Sequence, residues 1–406
     1  MVSGFDSPVA STLDASFVYP PDRFGEVRRW RFGDFQESHI DADWHDRALP
    51  KLLDRIADKE AVALDLMNRE PWDFFMAVFG ESDTVSHHFW MFHDPDSPRH
   101  QPGPADAIRQ VYERLDAAVG RVVGAAGDDT AVAVVSDHGF GGAGTMVAHI
   151  NNWLAEQGYL TFAPRDGESL LKRLALATVP QRFRGPLFRR FEGLAARAES
   201  QSRFGGIDWS RTRAWSEELN YFPSVRINLQ GRDPDGQVAQ ESYETVCREL
   251  CAALEDWAPV AKAWRRDELY HGPYVARAPD IILEPALDEQ GYAYSFLRRR
   301  GGPALRPLSP NAYVGGKEKG MNGTHRPEGV LLLAPATPAG HARLEDLAPT
   351  VLAHLGVAAP PMDGVSLWSP PASSPDAPHT GGPSRAYTPE QDELVAQRLR
   401  ALGYME

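Results

Sequence analysis

At 406 residues the chain exceeds the usual size of one compact core, so a large α/β domain with an insertion, or two domains sharing a cleft, is expected. Its 24% charged and 42% hydrophobic residues are ordinary for a soluble globular protein. A net charge of −14 argues against binding nucleic-acid polymers or anionic membranes, both of which need basic patches.

No run of about 18 apolar residues marks a membrane span, and no charged-then-apolar leader follows Met1. Cys247 and Cys251 lie four apart on an expected helix, beside Val246, Leu250 and Leu254. They exclude a disulfide framework, read as apolar-face residues and fit a reducing cytoplasm.

Residues 1–40 carry no clear period, and Pro20-Pro21 breaks any element there. From Asp43 to Arg69 a helical pattern places Leu49, Leu52, Leu53 and Ile56 on one face. Phe74-Phe-Met-Ala-Val-Phe79 reads as a buried strand, closed by Gly80. Asp106 to Gly124 is an amphipathic helix through Ile108, Val111, Leu115, Val119, Val122 and Val123. Thr130-Ala-Val-Ala-Val-Val135 then reads as a second strand buried on both faces. Strand, helix, strand predicts a βαβ unit with parallel strands, whose ends face the same way.

Residues 151–312 differ in character and read as an insertion or cap over those strand ends. A short helix covers Asn151 to Gln157, Val225-Arg-Ile-Asn-Leu229 alternates as a strand, and Gly231 to Gly236 is a turn cluster. A helix runs from Gln240 to Trp257, and a short strand lies between Pro279 and Pro285. The core resumes over 313–368, with a glycine-rich approach to His325, a buried strand at Gly329 to Ala334 and a helix at Leu347 to Leu355. Residues 369–386 read as a linker and 387–406 as a docking helix with an N-terminal capping box.

Three short motifs fall beside the apolar strands: Asp83-x-x-x-His87, Asp137-His138 and His325. Two carboxylates and three imidazoles form a mixed oxygen and nitrogen set suited to zinc or manganese. Two such ions about 4 Å apart would serve in-line phosphoryl transfer. Taken singly, each motif is also what a polar strand-to-loop turn contains.

Asp83-Thr-Val-Ser-His87-His-Phe-Trp90, Ser136-Asp137-His138-Gly139-Phe140 and Gly323-Thr-His325-Arg-Pro-Glu-Gly-Val330 resemble the type I phosphodiesterase/nucleotide pyrophosphatase branch of the alkaline phosphatase superfamily. Supporting stretches are His149 to Leu154, Asp346 to Leu352 with Met362-Asp-Gly364, and Leu399 to Tyr404. The resemblance implies an α/β fold with a central, mostly parallel sheet flanked by helices. It assigns Asp83, His87 and His325 to one divalent metal ion, and Asp137 and His138 to another. It implies a small phosphoester substrate, with no nucleic-acid polymer and no membrane partner, and admits a homo-oligomer. His88 matches no ligand position, His149 is expected to be structural, and Arg326 is expected to form a structural ion pair.

Members of the branch open with a strand ending in a further Asp ligand, followed by a Thr or Ser nucleophile at a helix start. Ser7, Ser11 and Thr12 lie in no such context. An amino-terminal part on the order of 100 residues is therefore expected to be missing. The expected activity is metal-dependent phosphoester hydrolysis, impaired in this polypeptide. The alternatives are a non-catalytic metal-binding partner or scaffold or, among enzymes, a sulfatase, phosphonate hydrolase or phosphomutase.

Overall fold

The computed structural model describes residues 18–27, 40, 43–164, 206–220, 222–313, 321–334 and 340–368. The chain separates into two units, residues 1–335 and 336–406. The expected final helix at 387–406 and the linker lie outside the described residues.

The first unit opens with a one-turn helix α1, Phe24–Val27, and the long α2, Trp44–Arg69. Helix α2 buries Ala48, Leu52, Ile56, Ala63 and Met67 along one stripe. Helix α3 spans Glu81–His93 and α4 spans Ala107–Ala126, which turns Ile108, Val111 and Ala118 inward. Glu60 of α2 accepts from Arg121 and lies 2.8 Å from Arg114, both on α4. Glu81, buried at the start of α3, lies 2.9 Å from Lys59 and 3.3 Å from Arg55 of α2. These pairs fix where α3 begins.

Strand β1 is Val132–Val135, and β2 is Gly139–Ala148. The short helix α5, Ile150–Glu156, leads to strands β3 (Ala214–Trp215) and β4 (Ser224–Ile227) and to helix α6, Tyr243–Glu255. Then come β5 (Val260–Arg265), the one-turn helix α7 (Arg266–Leu269), β6 (Ile281–Pro285), β7 (Ala293–Phe296), β8 (Leu305–Pro307), β9 (Gly323–Arg326) and β10 (Leu331–Ala334).

The α/β class holds, and the sheets are mixed. One four-stranded sheet runs β3-β4-β6-β5, all antiparallel. Strand β2 pairs with β7 in parallel, and with β8 and β9 antiparallel. Adjacent residues of β2 feed two cores. Ala148 joins the core of Leu154, Val225, Ile227, Leu250, Leu254 and Ile281, whereas Val147 joins Leu52, Ile56, Val85, Phe89 and Val111. That division follows from the period of two along a strand. Cys247 is buried in the first of these cores with Cys251 packed against it. Burial pushes the thiols up to about 11 and about 12, as apolar-face residues require.

Two expectations fail here. Residues 74–79 form no strand, and Phe74, Met76 and Val78 are 55%, 72% and 68% exposed. Strand β1 pairs antiparallel with β10, Val132 opposite Ala334 and Val135 opposite Leu331, so no parallel βαβ unit joins 74–79 to β1. An apolar run becomes a strand only when a neighbour takes its ladder hydrogen bonds. Among the described residues nothing pairs with 74–79, and the two-stranded β1–β10 sheet is covered on one face only, leaving Leu332 61% exposed.

In the second unit, helix α8 spans Leu347–His354. Asp346 organises its start, accepting from the backbone N–H of Arg343 and of Val365 at 2.8 Å each. Gly364 lies against the Glu345 carbonyl, where a Cβ would come within 2.0 Å of the oxygen. That contact accounts for a glycine in the Met362-Asp-Gly364 stretch.

Candidate metal centre

The motif residues come together through helix and strand geometry, where loops were expected. Asp83 and His87 sit one turn apart on α3, which places them on one face. His325 lies on β9, whose register with β2 puts it opposite Phe140. His138 occupies the turn between β1 and β2. Helix α3 meets β9 closely: Asn322 N donates to the His87 carbonyl at 3.0 Å. A Cβ on Gly323 would fall 2.3 Å from the carbonyl oxygen of Ser86, so only glycine allows this approach.

One carboxylate oxygen is the centre of the arrangement. Asp83 Oδ1 lies 3.2 Å from His325 Nε2, 3.3 Å from His87 Nε2 and 3.7 Å from His138 Nε2. His87 Nε2 and His325 Nε2 are 3.1 Å apart. The rings of His138 and His325 stack with centroids at 3.6 Å. Burial pushes the Asp83 carboxyl up, but hydrogen bonds from His325 and His87, with their charge, outweigh it and hold the group well below the usual carboxylate range. Its place in the first turn of α3 adds the favourable end of the helix dipole.

The tautomers follow from the backbone. His87 Nδ1 lies 2.8 Å from the Gly323 carbonyl, and His138 Nδ1 lies 3.0 Å from that of Gly139. A carbonyl only accepts, so Nδ1 donates to it and Nε2 is the ring nitrogen left to face Asp83. Lone pairs and a carboxylate facing one another at these distances repel unless a cation or protons lie among them. Histidine held through Nδ1–H to a carbonyl is the arrangement that metal-binding imidazoles use. The donor set therefore fits a divalent ion. Asp83, His138 and His325 each present a ligand atom within 4.8 Å of the others, and His87 closes the group.

Asp137 stands apart. Its side chain is 79% exposed, with Oδ1 3.5 Å from His138 Nε2. His88 faces away, buried against Trp44 at 4.7 Å between centroids. His149 is structural: Nδ1 donates to the Leu297 carbonyl, and Nε2 accepts from Arg306. Ser136, beside the motif, accepts from the Val330 N–H at 2.7 Å and ties β1 to β10. Among the described residues Arg326 makes no ion pair. Its guanidinium donates to the carbonyls of Gly142 and Gly291, because its strand position directs it to the face opposite His325.

Sequence reasoning missed Phe140. Its ring lies 4.7 Å from His87 and 5.6 Å from His325, and it stacks on Trp90, forming an apolar floor under the imidazoles. Reading 139–148 as a strand would have found it, since Phe140 pairs with His325; four glycines masked the strand pattern.

The sequence places the chain in a known family: it belongs to the type I phosphodiesterase / nucleotide pyrophosphatase family, whose model matches residues 7–323. Among solved structures it is similar to murine ectonucleotide pyrophosphatase / phosphodiesterase 5, at 12% identity and TM-score 0.40, and to the human protein of that name, at 13% and 0.37. Each match covers 77% of this chain and 61% of the other, so the chain spans about three fifths of their length. No curated protein sequence matches it significantly. No helix among the described residues is long and apolar enough to cross a membrane.

Proposed function

We propose that the protein is a divalent-metal-dependent hydrolase of small phosphoesters. The observation that carries this reading is the convergence of three imidazole Nε2 atoms on Asp83 Oδ1. Asp83, His87 and His325 hold the first ion, zinc or manganese, and His138 reaches the same centre. Asp137, open to solvent beside His138, is the carboxylate available to a second ion. When bound, the metal supplies a Lewis acid that neutralises charge on a phosphoryl oxygen. The chain's own residues do the rest. Asp83 balances the positive charge, the Gly323 and Gly139 carbonyls hold His87 and His138 in one tautomer, and Phe140 keeps water from beneath the cluster.

Turnover by this polypeptide alone is proposed to be low. The Ser136 hydroxyl accepts from Val330 N–H, and among the described residues no Thr or Ser before Asp83 follows a strand. The same observation favours, as a second reading, a metal-binding relative without turnover. A cytoplasmic, reducing compartment suits Cys247 and Cys251, which are free thiols. Zinc and manganese titrations followed by assays with bis-p-nitrophenyl phosphate, an aryl sulfate and an aryl phosphonate test these statements. Metal binding with slow diester hydrolysis is expected. Failure to bind either metal would overturn the hydrolase reading, and diester turnover near that of a full-length relative would overturn the low-turnover part.

A further inference from the structure

We propose that Arg326 is a positioning residue that pins the register of β9 and thereby holds His325 at the metal centre; the inference rests on the metal-centre reading above. Strand β9 has four residues, and the β2 stretch it pairs with is Gly139-Phe140-Gly141-Gly142. Register is set by the side-chain pattern across a pair, and glycine-rich strands specify it weakly. A slip of one residue would turn His325 to the far face and bring Thr324 or Arg326 to the cluster. On the metal side the Phe140–His325 contact and the bonds of Asn322 N and the Gly323 carbonyl to His87 oppose such a slip. On the other side, Arg326 does.

Arg326 lies opposite Gly139 in the ladder, and its side chain crosses diagonally over Gly141. A Cβ on Gly141 would meet the guanidinium at 2.6 to 2.8 Å, so the glycine leaves the slot the arginine fills. One guanidinium nitrogen donates to the Gly142 carbonyl at 2.9 Å and reaches the Gly291 carbonyl at 3.4 Å. Gly291 belongs to the turn before β7, which Asp288 closes by accepting from Gln290 N and Tyr292 N at 3.0 and 2.8 Å. The planar fork thus joins three backbone segments, β9, β2 and that turn, which a lysine ammonium on a flexible stem would hold less well. No carboxylate pairs with it among the described residues. A guanidinium that donates to carbonyls, on the face away from the metal, is suited to fixing backbone.

The test uses Arg326→Met and Arg326→Lys in the full chain, with Arg226→Met of β4 as control. Zinc affinity is measured by calorimetry well below each variant's Tm, with hydrogen exchange of residues 323–326 recorded alongside. Arg326→Met is expected to weaken zinc binding on the order of ten-fold or more, the usual effect of losing a residue that orients a ligand. Faster exchange should be confined to β9 and its partner, with Arg326→Lys intermediate and the control unchanged. A folded Arg326→Met with wild-type zinc affinity and wild-type exchange in β9 would overturn the proposal. If Arg326→Met does not fold, Arg326→Lys decides by the same two readouts. If the wild type binds no zinc, the metal-centre reading falls, and exchange in β9 still decides whether Arg326 pins the strand.

Discussion

Asp83 and His325 are 242 positions apart in the chain, and a carboxylate oxygen of one lies 3.2 Å from Nε2 of the other. The contact spans helix α3 and strand β9, and it exists because Gly323 lets the strand backbone pass the end of Ser86. Among the described residues Asp83 is the carboxylate that faces all three imidazoles, which makes it the first target. Asp83→Asn keeps the shape and removes the charge. Zinc affinity should fall by more than the ~10–100-fold that loss of an orienting neighbour costs. Calorimetry checks this; an affinity within three-fold of wild type would remove Asp83 from the site.

His138 and Asp137 are adjacent in sequence but differ in role. The His138 ring is stacked on His325, whereas the Asp137 carboxylate is 79% exposed. His138→Ala should weaken the first equivalent of zinc about as much as His87→Ala does. Asp137→Asn should leave that first equivalent nearly unchanged. Equal losses from both substitutions, read by metal titration, would contradict the geometry.

Glu218 supplies a pH dependence. It is buried with φ of 54°, and its Oε1 accepts from Asn151 N at 3.1 Å. Burial pushes its carboxyl up to about 7, against the opposing backbone bond from Asn151. A folded pKa above the unfolded value means the native state binds the extra proton between those values. Stability therefore falls as pH rises from about 4.5 to about 7, then levels off. Glu218→Gln should abolish that slope and raise stability at pH 8 by up to about 3 kcal/mol. Urea midpoints at pH 5 and pH 8 measure it; a wild-type slope in the variant would refute the assignment.

Two glycines separate close approach from mere propensity. Gly323→Ala would drive a Cβ into the Ser86 carbonyl and force β9 away from α3, so both Tm and zinc affinity should fall. Gly120 of α4 has nothing within 4 Å of an added Cβ. Gly120→Ala should stabilise the protein by about 0.5–1 kcal/mol through helix propensity, with zinc affinity unchanged. Thermal melts and zinc titrations on both variants distinguish the two cases.

A core substitution gives the scale. Phe89 is fully buried between α2 and α4 and packs edge-on to His45 at 5.0 Å. Phe89→Ala should cost about 3–5 kcal/mol. Chemical denaturation reads that loss directly, and a change below 1 kcal/mol would mean the site relaxes around the cavity.

The sequence by itself determined which side chains were candidates. Asp83, His87, Asp137, His138 and His325 were legible as candidate donors, and helices α2, α4 and α6 were legible from their periods. These depend on local patterns of three to five residues, which short-range sterics and burial impose directly. Only the tertiary structure decided that 81–93 is helical, that 139–148 is a strand, and that 74–79 pairs with nothing described. Only it decided that His138 turns inward while Asp137 turns out, and that Arg326 grips carbonyls instead of a carboxylate. Each of these outcomes depends on a partner far away in the chain. A strand exists when another segment completes its hydrogen bonds, and a side chain points inward when the ladder register at that position places it there.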